Sequence, residues 1–199
     1  LFNLPLAGST FKKVYYDELM QRAVSKFVPA DDLVVPYTAT SLDDCESIIH
    51  TVRMTENELR KQQVGGFYRD IEVNPTHLNE TEAEKKERAL EGASKGRDDR
   101  MFNILECHVD IDLDGFEDVG QDGEPTGIKI PYIVTLEEGT RKVLSIRRNY
   151  EAGDPMKKKI NYFVHFKFLP GLGFYGFGLI HMIGGLSRTA TAALRQLLD

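Results

Sequence analysis

The sequence predicts an α+β fold: a mostly antiparallel sheet, arranged as a meander, with flanking helices and a long C-terminal helix. Three observations carry this expectation. Met101 to Leu113, Ile128 to Leu136, Lys142 to Tyr150 and Ile160 to Phe168 have strand length and alternate apolar with polar residues. The connections at Gly120-Gln121-Asp122-Gly123, Glu138-Gly139 and Gly153-Asp154-Pro155 read as turns rather than crossover helices, so neighbouring strands run antiparallel. The last stretch, 176–199, carries apolar residues at steps of three and four, which is the period of a helix.

The first half supplies shorter elements. Phe11 to Tyr16 and Ala23 to Val28 are β-rich runs around a polar connection and form a hairpin closed by Pro29. Leu33-Val34-Val35 is a short buried extended segment that Pro36 bars from continuing as a central strand. Ser41, followed three residues later by Asp44, can cap one helical turn. Ile48 to Met54 alternates as a half-buried strand, and Thr55-Glu56-Asn57-Glu58 is a capping box that opens a helix ended by Gly65-Gly66. Met54 is placed to staple against Leu59, and Tyr68 to Val73 reads as another brief strand stopped before Pro75. Residues 79–100 are so rich in Glu, Lys and Arg that a helix there has almost nothing to bury; they form a charged surface excursion.

A chain of 199 residues with 41% hydrophobic and 28% charged residues is an ordinary globular composition, and the expectation is one α+β domain spanning 1–199. Cys45 and Cys107 have neither disulfide-framework nor zinc spacing, which fits a reducing compartment. The most apolar segment, 171–185, is interrupted by glycines and His181 and falls short of a membrane span. The net charge of −6 argues against gripping nucleic acid by its phosphates, though not against a surface past which DNA slides. Opening at Leu1 and stopping inside a helical pattern, the chain reads as a piece of a longer polypeptide.

Two motifs invite sharper readings. Asp110-x-Asp112-x-Asp114-Gly115 imitates the start of a calcium loop, but position twelve is Gln121 instead of a bidentate glutamate and the flanks are strand-like. Gly171-x-Gly173-x-x-Gly176 imitates a dinucleotide fingerprint and would support a nucleotide-binding oxidoreductase. Against it stand the alternating strand before it, Pro170 between strand and loop, the bulky Phe174-Tyr175 pair, and the lack of a second parallel strand whose tip Asp199 could occupy. The glycines instead read as a bend into a closely packed helix.

That helix carries an apolar stripe of Leu179, Ile183, Leu186, Ala190, Ala193 and Leu197, with His181, Arg188 and Arg195 recurring at seven on another side. The basic residues are candidates for intersubunit contact, and mid-helix Gly184-Gly185 suggests close approach to another backbone or a break. No catalytic set, cofactor site or metal site emerges, and His50, His77, His108, His165 and His181 are scattered over different elements.

The run from Pro29 through Tyr37, Thr55-Glu56-Asn57-Glu58-Leu59, Gly66 to Asp70, Lys142 to Tyr150 and Pro170 to His181 together resemble the portal proteins of short-tailed bacteriophages. The resemblance implies a non-enzymatic subunit of a ring, usually dodecameric, at one capsid vertex of the virion, made in the host cytoplasm. Through that ring double-stranded DNA is packaged and ejected without sequence-specific binding. It also implies terminase, scaffold or capsid, and tail adaptor proteins as partners. This piece resembles the wing region, with 176–199 leading toward the stem; the DNA-facing tunnel would lie beyond Asp199.

Overall fold

The computed structural model describes residues 3–17, 21–74, 90, 101–120, 122–171 and 173–198. Apart from Leu90, the expected charged excursion at 79–100 lies outside these residues. The fold is α+β with two antiparallel sheets and, among the described residues, a long C-terminal helix. Where the sequence suggests one domain, contacts group the chain into two compact units, 1–48 with 159–199 and 49–158.

The first unit begins with a one-turn helix α1, Leu4–Ala7, which carries Pro5 in its first turn and ends at Gly8 with φ +84°. Strands β1, Ser9–Asp17, and β2, Arg22–Val28, form the expected hairpin, paired from Phe11–Val28 to Asp17–Arg22. A 3₁₀ turn at Ala30–Asp32 leads to β3, Leu33–Val34. Ser41 accepts the amide of Asp44 at 3.3 Å, as its spacing suggests, but the segment is a turn rather than helix. The core is Phe11, Val28, Leu33, Leu42, Ile48, Phe163 and Phe174, with Phe11 fully enclosed.

The second unit contains most of β4, Ser47–Thr55, then α2, Glu56–Val64, β5, Met101–Ile111, β6, Ile130–Glu137, and β7, Val143–Arg148. Strands β4, β5, β6 and β7 are neighbours in that order, with β5–β6 and β6–β7 antiparallel. The capping box is present in full: Glu58 N–H donates to the Thr55 hydroxyl at 3.3 Å, and Thr55 N–H to the Glu58 carboxylate at 3.0 Å. Leu59 on α2 is buried with Tyr68, Phe102, Ile104 and Leu144, and Met54 packs against the same cluster, as the staple requires.

Two strand expectations are corrected. Tyr68 to Val73 pairs with no ladder; its carbonyls at Arg69 and Ile71 are taken by the Gln63 amide, at 3.4 and 2.9 Å, and that of Glu72 by the Lys142 ammonium at 2.7 Å. Side-chain donors replace strand partners, so alternation is kept without a strand. The run Ile160 to Phe168 shortens to β8, Phe163–Lys167, and leaves the meander to pair antiparallel with β1, giving the order β2-β1-β8. Turn chemistry dictates a reversal after β7, but only the packing of Phe163 with Phe11 and Phe174 selects which strand edge receives β8.

Candidate intersubunit surface

The passage from β8 into the last helix is built by backbone packed on backbone. Leu169 and Phe177 exchange two amide bonds, at 2.8 and 3.3 Å, closing a loop around residues 170–176. That loop lies against the start of β1, where a Cβ on Gly8 would fall 2.4 Å from the Gly176 carbonyl oxygen, and one on Gly178 would fall 2.2 Å from that of Leu6. A Cβ on Gly176 would meet the carbonyl oxygens of Gly8 and Leu169 at 2.7 and 2.8 Å. Glycine is therefore required at these three positions because two main chains occupy the space of a side chain. Of the other two fingerprint glycines, Gly171 backs onto the Phe177 ring and Gly173 faces open space.

Ser9 locks the junction. Its hydroxyl accepts the amide of Gly176 at 2.8 Å and lies 3.1 Å from His165 Nε2. His165 stacks on Phe11 at 4.3 Å and on Phe174 at 4.8 Å between ring centroids. Burial, reinforced by the Lys167 charge, pushes its pKa down to about 4. A neutral imidazole leaves Nε2 free to accept from the Ser9 hydroxyl, so both bonds of Ser9 are satisfied at once.

The helix that follows, α3, spans Leu179–Leu198 without a break. At 20 residues it is about 30 Å long. His181, one of the three sequence candidates, turns back onto this junction: its Nδ1 accepts the amide of Gly178 at 3.1 Å and its ring meets Phe177 edge-on. One of the orphan donors at the helix start is thereby satisfied. Arg188 and Arg195 stand exposed along one side. Gly184 and Gly185 before them are equally open: outside the helix's own neighbouring backbone, no atom lies within 4 Å of a Cβ placed on either. The close approach expected there is not made within this chain. Thr189 and Thr191 return their hydroxyls to the carbonyls four residues back, at 3.1 and 2.8 Å.

All residues from Leu179 to Leu197 are exposed, including the whole apolar stripe; Leu186 is 73% and Leu197 82% accessible. A helix with this pattern is unusual without a covering surface, since most helical stability comes from packing an apolar face.

The aspartates of the calcium-like motif diverge. Asp110 lies on β5 opposite Pro131 of β6, while Asp112 and Asp114 are exposed in the segment that follows. Among the described residues no three carboxylate, imidazole or thiol groups gather as a metal-holding group. The loop is pinned by other means: Tyr132 donates to the Phe116 carbonyl at 3.0 Å, Thr126 to the Asp118 carboxylate at 2.8 Å, and Lys157 pairs with Asp118. Backbone amides at Gly115 and Glu117 hold the Glu117 carboxyl below its usual range.

Compared with known proteins, residues 10–199 match the family model described as Phage SU10 portal protein. The chain belongs to the phage portal family. The match runs through both units and includes α3, so the portal assignment rests on nearly the whole chain. No curated protein matches the chain. Portal proteins are structural components of the capsid vertex, and this chain has a phage portal role. Membership carries with it a homo-oligomeric ring associated with the capsid. No helix among the described residues is long and apolar enough to cross a membrane.

The structure thus gives the three sequence candidates different surroundings, with His181 inside the strand-to-helix junction and Arg188 and Arg195 on the open helix. Sequence reading misses Ser9, Gly8 and Gly178. Their importance arises where chain segments some 170 residues apart touch, and no local spacing announces it.

Proposed function

We propose that this chain is the wing-region part of a portal subunit, with α3 leading toward the stem. In this reading the full-length subunit forms a ring, most simply a dodecamer, through which DNA is packaged and ejected. The same ring would join head to tail and meet terminase, scaffold or capsid, and tail adaptor proteins in the virion. Arg188 and Arg195 then face a neighbouring subunit, and the open flank at Gly184 and Gly185 lets that neighbour's backbone come close. The role is mechanical: holding subunits in register while DNA passes without being read.

The observation that carries the reading is the portal match over residues 10–199, joined to a helix whose apolar stripe is open to solvent along its length. A structural ring subunit accounts for such a helix because its partners lie in other copies or other parts of the subunit. Electron microscopy of the full-length chain tests it. Rings with a central opening are expected; a monomer at every concentration and salt tried would overturn the proposal.

A further inference from the structure

Two apolar surfaces of the first unit are open, and they differ in kind. One is the stripe of α3. The other is a face of the β2-β1-β8 sheet. Pairing places Lys12, Phe27 and Val164 on one side of the sheet, in line with Val14 opposite Ser25 and Tyr16 opposite Ala23. The other side holds Phe11, Val28 and Phe163 in the core. On the open side Val14 is 42%, Tyr16 58%, Phe27 50% and Val164 44% accessible. Its strands thus invert the pattern in which polar residues face water, because Val14, Tyr16 and Phe27 lie outward while Lys13 and Lys26 share the core side.

We infer that this sheet face receives the α3 stripe of a second copy of the chain, resting on the ring reading above. The fit is one of shape, area and charge. Three strands about 4.8 Å apart make a strip about as wide as one helix of about 10 Å, and helix on sheet is a standard way to bury both. Each surface exposes roughly 500 Å² of apolar side chain, so together they reach about 1,000 Å², the threshold for a specific interface. No like charges oppose one another: α3 has no acidic residue, its arginines lie on the side away from the stripe, and Lys12 is the only charged residue of the open face along the paired registers. Because the two patches differ, each copy offers one of each. The contact is head-to-tail, so copies joined this way do not stop at a pair, and they close into a ring where the rotation from copy to copy closes.

The test uses the full-length chain with Cys45 and Cys107 replaced by alanine. One preparation carries Phe27→Cys and the other Leu186→Cys; they are mixed, assembled and treated with a short bismaleimide. A crosslink between the two different copies is expected, at least fivefold stronger than when Leu186→Cys is replaced by Ala192→Cys, an exposed position on the opposite side of the helix. Equal crosslinking from both helix sides would overturn the inference. So would rings with no mixed crosslink, or a bridge formed only within a chain carrying both cysteines. Phe27→Asp and Leu186→Asp should each abolish rings while leaving circular dichroism unchanged, and rings of ordinary yield from either would equally overturn it. Should α3 instead serve a lipid surface, the wild-type chain would sediment with anionic phospholipid vesicles and Leu186→Asp would release it without affecting rings; that result too excludes the sheet as its partner. Failure of the wild-type chain to form any ring would strike the ring reading itself, which separates the two failures.

Discussion

The imidazole of His165 lies stacked on the ring of Phe11, 4.3 Å between centroids, with its Nε2 on the Ser9 hydroxyl. This pair joins the central strand β1 to β8, and Phe174 of the loop that launches α3 stacks on the same imidazole at 4.8 Å. Its charge state therefore bears on whether that helix is held in place.

The folded chain binds the His165 proton only near pH 4, against 6.5 for an unperturbed histidine. Between those values the unfolded state holds more protons, so this residue's contribution is complete above about pH 6.5 and is lost as pH falls toward 4. Melting temperature should fall across that window in the wild type and fall less in His165→Gln, which cannot take up a proton. Parallel curves for the two proteins would show that another group governs the acid limb.

Gly8→Ala places a methyl group 2.4 Å from a carbonyl oxygen and keeps an unfavourable φ of +84°. A loss of about 3 kcal/mol or more is expected in urea unfolding. Gly173→Ala, with open space around it, should stay within about 0.5 kcal/mol. Equal losses at both positions would contradict the packing role assigned to this junction.

Thr55→Ala removes the hydroxyl that accepts the Glu58 amide and should destabilise the chain by about 1 kcal/mol, measured from denaturant midpoints at constant slope. Thr55→Ser, which keeps the acceptor, should recover most of it.

Glu137 is fully buried, and its carboxylate takes the amides of Gly139 and Thr140 at 2.7 and 2.5 Å and the Thr140 hydroxyl at 2.5 Å. Glu137→Ala leaves those donors short of an acceptor and should destabilise by about 2 kcal/mol. Hydrogen exchange should report faster opening at the β6–β7 turn than in β1 and β8.

Arg188→Glu with Arg195→Glu in the full-length chain should lower ring yield without moving the melting temperature of the chain, since both side chains are exposed. Sedimentation at two salt concentrations checks this; rings of normal yield and salt response would assign the arginines to solvent.

Much of the fold is legible locally. The Thr55–Glu58 box, the hairpin from Phe11 to Val28 and the Met101 to Tyr150 meander depend on residues near one another in the chain, and period and turn chemistry identify them. The portal resemblance was legible for the same reason: its blocks are local runs of packing and turn residues, and the family match over residues 10–199 bears them out.

Partner choice was not legible. The alternation in Ile160 to Phe168 marks a strand but cannot say that its edge belongs to β1, nor that Phe163 goes inward while Val164 stays out. Likewise Gly171, Gly173 and Gly176 spell a phosphate cradle by spacing alone. By itself the sequence determined the hairpin, the strands of the Met101 to Tyr150 meander, where the long helix lies and to which family the chain belongs, while Tyr68 to Val73 alternates like a strand without being one. Only the tertiary structure decided that Gly8, Gly176 and Gly178 bring two main chains together, that Ser9 and His165 fasten them, and that Val14, Tyr16 and Phe27 are left open. The physical reason is that burial is settled between segments far apart in the chain, where the enclosure of Phe11 fixes the inner face of the sheet and leaves the outer face open to solvent.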